Sequence, residues 1–157
     1  MTIKLLAIGK TDSKALQELL NDYERRLGHY VKFEMHFIPD LKNTKNLSEI
    51  QQKEKEGELL LKQIGPSEVL VLLDEKGKQY TSVAFSEYLQ KKMNSGIKGL
   101  TFVIGGPYGF SDTVYRQASG QLSLSKMTFS HQMVRLFAIE QLYRAFTILR
   151  NEPYHHK

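Results

Sequence analysis

The sequence predicts an α/β layer fold on a mostly parallel sheet, and three observations carry that reading. Short apolar runs alternate with longer amphipathic stretches along the whole chain. Two of those runs, Val69 to Leu73 and Leu100 to Ile104, are nearly continuous in apolar residues, as strands covered on both faces are. Glycine or proline punctuates the runs, at Gly9, Pro39, Gly65-Pro66 and Gly105-Gly106. At 157 residues the chain fits one domain, residues 1–157, against a usual domain of about 100–200 residues.

The elements follow in order. Ile3 to Ile8 is the first strand, closed by Gly9. Leu16, Leu19, Leu20, Tyr23 and Leu27 then keep helical spacing, with Gly28 as a C-terminal glycine. Val31, Phe33, Met35 and Phe37 alternate with Lys32, Glu34 and His36, the pattern of a strand with one solvated face, and Pro39 stops it. Ser48 and Gln51 have capping-box spacing for a helix reaching about Ile64. Within that helix, Lys53-Glu54-Lys55-Glu56 is expected to be a solvated face of mixed charge. The strand Val69 to Leu73 is expected to end at Asp74. A helix from Ser82 to Asn94 leads to Leu100 to Ile104, which delivers the chain into Gly105-Gly106-Pro107-Tyr108-Gly109. A short helix after Ser111 precedes the Leu122 to Phe129 segment, and a long helix runs from about Ser130 to Arg150.

Composition removes several classes of function. With no cysteine there is no disulfide framework, thiolate nucleophile or Cys-based metal site. Lys and Arg number 22 against 17 Asp and Glu, a formal charge of +5 that mildly favours anionic partners such as nucleic acid. The apolar runs fall far short of the roughly 20 residues that a bilayer demands, and none reads as a targeting segment. The expectation is a cytoplasmic protein with no membrane association.

Familiar nucleotide and hydrolase motifs fail on spacing. Gly9-Lys10-Thr11 follows a strand, but Lys4 stands where a P-loop needs its first glycine. Gly105, Gly106 and Gly109 do not have dinucleotide-fingerprint spacing, and no Gly-x-Ser-x-Gly elbow exists. What remains is convergence. In open α/β sheets ligands gather beyond the carboxyl ends of the strands. Leu73-Asp74, the Gly105 to Gly109 loop and Leu124 to Phe129 all lie at or just after strand ends, so they are candidates for one pocket.

The last helix has Val134, Ala138, Ile139, Leu142, Ala145, Phe146 and Leu149 on one face, with Arg135 in their midst and His131 a turn earlier. A guanidinium there must be satisfied by a structural carboxylate or carbonyls, or else be aimed at a ligand. His131 fits either helix capping or catalysis. Met133, Leu136, Phe137, Tyr143 and Ile148 make the opposite face apolar too, which implies a cover on both sides and hence a homodimer. Glu140 and Arg144 read as a structural i, i+4 pair. The tail, Tyr154-His155-His156-Lys157, offers stacking, proton transfer and phosphate contact together.

Several stretches carry a specific resemblance: Phe102 to Gly109, Leu122 to Phe129, His131-Gln132-Met133-Val134-Arg135, Glu140-Gln141-Leu142-Tyr143-Arg144-Ala145 and Pro153-Tyr154-His155. Gly9-Lys10, Tyr23-x-x-Arg26-Leu27 and Lys53 to Gly57 extend it over essentially the whole chain. Together they resemble the ribosomal RNA large-subunit methyltransferase H family. The resemblance implies a SPOUT-type α/β/α fold with a C-terminal trefoil knot, a homodimer, and transfer of methyl from S-adenosylmethionine to N3 of a pseudouridine in 23S rRNA of the assembled 70S ribosome. It places the methyl donor on Leu73, Gly105 and the stretch Leu124, Ser125, Lys126, Met127, Thr128 and Phe129. A sulfonium methyl needs no metal, only alignment and exclusion of water. Arg135 is expected to position or stabilise the base, and Tyr154 and His155 to reach it from the partner subunit's tail. Two alternatives stand beside this reading: a SPOUT enzyme acting on tRNA, and a non-catalytic RNA- or nucleotide-binding module of the same fold. The missing cysteine also excludes the RNA methyltransferases that attack through a covalent thiolate adduct.

Overall fold

A computed structural model describes residues 1–156; Lys157, part of the tail discussed above, lies outside them. The elements are β1 (Thr2–Ile8), α1 (Lys14–Leu27), β2 (Lys32–Ile38), a 3-10 turn (Thr44–Asn46), α2 (Glu49–Lys62), β3 (Glu68–Gln79), α3 (Ser82–Asn94), β4 (Gly99–Ile104), α4 (Asp112–Gln117), β5 (Gly120–Ser123) and α5 (His131–Leu149). The strands form one parallel sheet in the order β2-β1-β4-β3-β5.

Helices cover both faces, which explains why the central strands read as continuous apolar runs. Ile3, Leu5, Ala7, Leu100, Phe102 and Ile104 point into a core closed by α1, α3 and α5. Leu6, Ile8, Leu70, Leu72 and Val103 point the other way, toward Leu60 of α2 and Val114 of α4. Every α-helix starts at a Ser or Thr whose hydroxyl accepts from a backbone N–H three residues on: Ser13, Ser48, Thr81, Ser111 and Ser130. Each such cap stabilises its helix by about 1 kcal/mol. Ser48 and Gln51 form the expected reciprocal box.

Two expectations are corrected. The strand β3 does not end at Asp74. It pairs with β5 at Leu73↔Leu122, loops out, and pairs again at Lys78↔Leu122 and Gln79↔Ser123. Nor is the Lys53 to Glu56 stretch wholly solvated, because Glu56 is only 4% exposed. Charge patterning missed this because it does not reveal that the next residue, Gly57, lets α2 dock tightly onto α4. Gly28 caps α1 as expected, at φ −60.

At the amino edge of the sheet, Lys4 Nζ donates to Gln63 O at 3.1 Å and to Glu68 Oε1 at 3.1 Å, and Thr101 Oγ1 donates to Glu68 Oε2 at 2.9 Å. Burial raises the Glu68 pKa, but Lys4 and Thr101 more than offset it and hold the carboxyl below its ordinary value. Among the described residues no helix is long and apolar enough to cross a membrane.

Candidate functional site

The register of the sheet puts several strand ends at one level. Ala7 pairs with Ile104, Ile104 with Leu73, and Leu73 with Leu122. The chain therefore leaves β4 at Gly105 and β5 at Leu124, and β3 loops out after Leu73, around a common space, a cavity of about 580 Å³. Its walls include Leu73, Gly105, Leu124, Ser125, Met127, Thr128 and Phe129. Lys126, the remaining member of that predicted stretch, is not part of the wall. His131 and Val134 close the cavity from the first turns of α5. A smaller apolar cavity of about 270 Å³ adjoins it, sharing Leu73, Leu124 and Phe129 and adding Phe85, Phe102 and Phe137.

Glycines and short polar bridges shape the larger space. Gly109 turns the loop at φ +81, its N–H donating to Gly106 O at 3.1 Å. A Cβ on Gly105 would press on the Phe110 ring at 3.1 Å. The looped-out segment Asp74–Gly77, unpredicted from sequence, is held down by Tyr115, whose hydroxyl donates to Asp74 Oδ2, and by Thr128 Oγ1, which donates to Glu75 Oε2 at 3.1 Å. Gly77 makes the crossing possible, since a Cβ there would lie 2.6 Å from Leu122 N. Ser125 accepts from Met127 N at 3.0 Å and folds the third wall.

The predicted catalytic residues fall in two places. Arg135 is fully buried, its Nη2 donating to Ile8 O at 2.8 Å and its Nη1 to Thr11 Oγ1 at 3.0 Å. Its guanidinium carbon stands 5.3 Å from the Phe37 ring. Its neighbour Gln132 donates to Lys10 O at 3.2 Å and accepts from Asp12 N at 3.1 Å. Together Gln132 and Arg135 tie the β1–α1 loop to α5. Among the described residues no carboxylate bonds Arg135, and burial lowers its pKa against the pull of Asp12 and Asp40.

Tyr154 and His155 instead meet Arg144, whose spacing from Glu140 reads as a structural pair. Glu140 Oε1 accepts from Arg144 Nη2 at 2.6 Å, Arg144 Nε at 3.1 Å and the Tyr154 hydroxyl at 3.0 Å. Arg144 Nη1 lies 3.2 Å from His155 Nδ1. A guanidinium only donates, so Nδ1 accepts and the neutral imidazole carries its proton on Nε2. The Tyr154 hydroxyl also lies 3.2 Å from that of Tyr23, its ring 4.8 Å from Tyr143. Burial, Tyr23 and Glu140 all raise the Tyr154 pKa, so this hydroxyl stays protonated and acts as a donor. The ordered motifs Tyr23-x-x-Arg26 and Glu140 to Ala145 were the available signal for this cluster.

The two places are far apart within one chain. Arg144 follows His131 by thirteen residues of α5, roughly 20 Å along the helix axis at about 1.5 Å per residue. The parallel sheet and the cavity beyond its carboxyl edge define a ligand-binding α/β protein. The chain matches, over residues 1–155, the family described as "Predicted SPOUT methyltransferase", and it belongs to that family. Over all 157 residues, and the full length of each relative, it is 69% identical to a Flavobacterium johnsoniae protein, 67% to one from Christiangramia forsetii and 54% to one from Bacteroides thetaiotaomicron. Each of these relatives is named Ribosomal RNA large subunit methyltransferase H.

Proposed function

We propose that this chain methylates N3 of a pseudouridine in 23S rRNA of the assembled 70S ribosome, with S-adenosylmethionine as donor. It would work in the cytoplasm as a knotted homodimer whose active site joins one subunit's cavity to the other's tail. One observation carries the composite site: the Arg144–Tyr154–His155 cluster stands roughly 20 Å along α5 from the cavity turn at His131. A single chain presents a donor site and a cationic site that do not meet. Met133 and Phe137, each 39% exposed, leave an apolar strip on α5 suited to a second copy.

The cavity fits the donor. Gly105 and Gly106 line the larger space, and the adjoining apolar space has aromatic walls. Leu73, Gly105 and Leu124 to Phe129 are the residues assigned to hold it, Lys126 through its backbone. When bound, S-adenosylmethionine supplies an electrophilic methyl. As the N3–CH3 bond forms, the S–CH3 bond breaks and the N3 proton leaves to water.

The residues of the tail address the other half of the reaction. Loss of the N3 proton spreads negative charge onto the flanking carbonyl oxygens of the ring. Arg144 and the His155 Nε2–H are donors suited to that charge, already held in place by Glu140 and Tyr154. In this tautomer His155 donates rather than removes the proton. Arg135 acts as a positioning residue, fixing the β1–α1 loop to the helix turn that walls the cavity.

The test is labelled-methyl transfer onto 70S ribosomes, free subunits and bulk tRNA, with mapping of the product nucleotide. The expected product is one N3-methylated pseudouridine in 23S rRNA, made on 70S particles; product on tRNA, or none at all, overturns the reading. Mixing a variant lacking the tail with one blocked in the cavity should restore activity, because one of the two sites in the mixed dimer is then intact.

A further inference from the structure

Among the described residues Glu56 is the only buried acid, and nothing so far uses it. It sits where it does because Gly57 lets α2 approach α4 closely: a Cβ on Gly57 would meet Ser111 Oγ at 2.7 Å and Val114 Cγ2 at 2.9 Å. That docking pushes the Glu56 side chain under the glycine loop. A Cβ on Gly106 would lie 2.6 Å from Glu56 Oε2 and 2.8 Å from Oε1. Oε1 has no hydrogen-bond partner among the described residues. Gly106 itself lines the larger cavity, so it stands between that cavity and a carboxyl group with one unpaired oxygen.

A buried carboxylate without a cation is costly, and a positive ligand arriving in the adjacent, weakly screened space relieves that cost. We infer that Glu56 selects the charge of the methyl donor: from behind Gly106 its carboxylate favours a cationic sulfonium over the neutral thioether left after transfer. The inference rests on reading the cavity as the donor site. Methyl transfer converts the sulfonium to a thioether while the proton from N3 goes to solvent. The charge that Glu56 favours therefore disappears with turnover, and product is released.

The groups facing Glu56 are few. Gln52 approaches from its own helix, Gly106 from the loop, and the Asp40 charge acts from the segment after β2. From α4, Ser111 and Val114 pack on the neighbouring Gly57. Burial pushes the carboxyl pKa above its ordinary value, Gln52 pulls it back, and Asp40 adds to the rise. Asp40 in turn attracts Arg135. Cation binding should thus be linked to loss of the Glu56 proton.

Calorimetric titration of the wild type and Glu56→Gln with three probes tests this: S-adenosylmethionine, S-adenosylhomocysteine, and sinefungin, which carries an amine where the donor has its sulfonium. The expected result is about tenfold weaker binding of both cationic probes to Glu56→Gln, equivalent to about 1.4 kcal/mol, with the homocysteine product changed less than about twofold. Wild-type affinity for the cations should rise with pH as Glu56 ionises, and that slope should vanish in the variant, whose unchanged thermal unfolding shows that it folds. Equal loss for all three probes, or no loss for any, overturns charge selection and leaves Glu56 as packing beneath the loop. Failure of the wild type to bind any probe overturns the donor-site reading, and this inference with it.

Discussion

At its amino end α5 faces a cavity walled by backbone and apolar side chains, whereas at its carboxyl end it faces a tail locked by charge. Around His131 and Val134 the neighbours are Gly105, Gly106, Leu73 and Leu124, and few side chains are committed to partners. Around Arg144 nearly every polar atom is spoken for: Glu140 alone accepts from Arg144, Tyr154 and Gln141. The contrast teaches a division of labour. Under the proposed function, shape and backbone would hold a donor whose reactivity is its own, while fixed charge would meet a substrate whose anion must be stabilised. Rigid donors cost no reorganisation when that charge develops.

Breaking the charged end should have the largest effect. Arg144→Ala is expected to lower single-turnover methyl transfer on the order of 10³-fold while donor affinity by calorimetry stays within about twofold. If donor affinity falls in step with rate, the two ends are not separate and the division fails. Next comes the wall of the cavity. Gly77→Ala places a methyl against the Leu122 backbone, which cannot yield as a side chain could. It should cost about 3 kcal/mol in chemical denaturation and weaken donor binding. Gly120→Ala, where a Cβ meets nothing within 4 Å, is the matched control and should be close to neutral.

These two ends were unequally legible in the sequence. Periodicity located the strands and the segments that meet beyond them, because two-faced burial leaves continuous apolar runs and a parallel sheet aligns its carboxyl ends. The crossing at Gly77 was not legible, since a lone glycine in a polar stretch does not show that another backbone lies against it. Helical spacing sets Arg135 amid an apolar face and Arg144 one turn from Glu140, which favours Arg135 for the site and a structural pair for Arg144, but it does not show what either meets in the fold. What separates them is their tertiary partners: Ile8 O and Thr11 for Arg135, and a returning tail for Arg144. Glu56 was misread for the same reason, its burial being set by Gly57 and α4 rather than by its charged neighbours.

The amino edge of the sheet, remote from both ends of α5 in its chemistry, sharpens the comparison as a reference. Because the Glu68 pKa is depressed on folding, its contribution is fully present above the unfolded carboxyl pKa and is lost as pH falls through the lower folded value. Glu68→Gln should therefore remove about 2 kcal/mol at neutral pH and flatten the acid limb of the stability curve, with donor affinity and rate per folded molecule unchanged. A change in either would show that the sheet transmits strain to its far edge.

The smallest effect is expected at Ser130, whose hydroxyl accepts from Met133 N at 3.2 Å and starts α5 beside the cavity. Ser130→Ala should cost about 1 kcal/mol of stability, the usual worth of such a cap. Its local consequence discriminates more than its size. Fraying the first turn disturbs His131 and the Gln132 and Arg135 bonds to the β1–α1 loop, but leaves the last turns of the helix intact. Donor binding should weaken severalfold, while the His155 imidazole resonances, read by NMR, keep their wild-type positions because Arg144 still donates to Nδ1. If those resonances move, the cavity and the tail are coupled, along α5 or across the proposed dimer, and the division between the two ends fails.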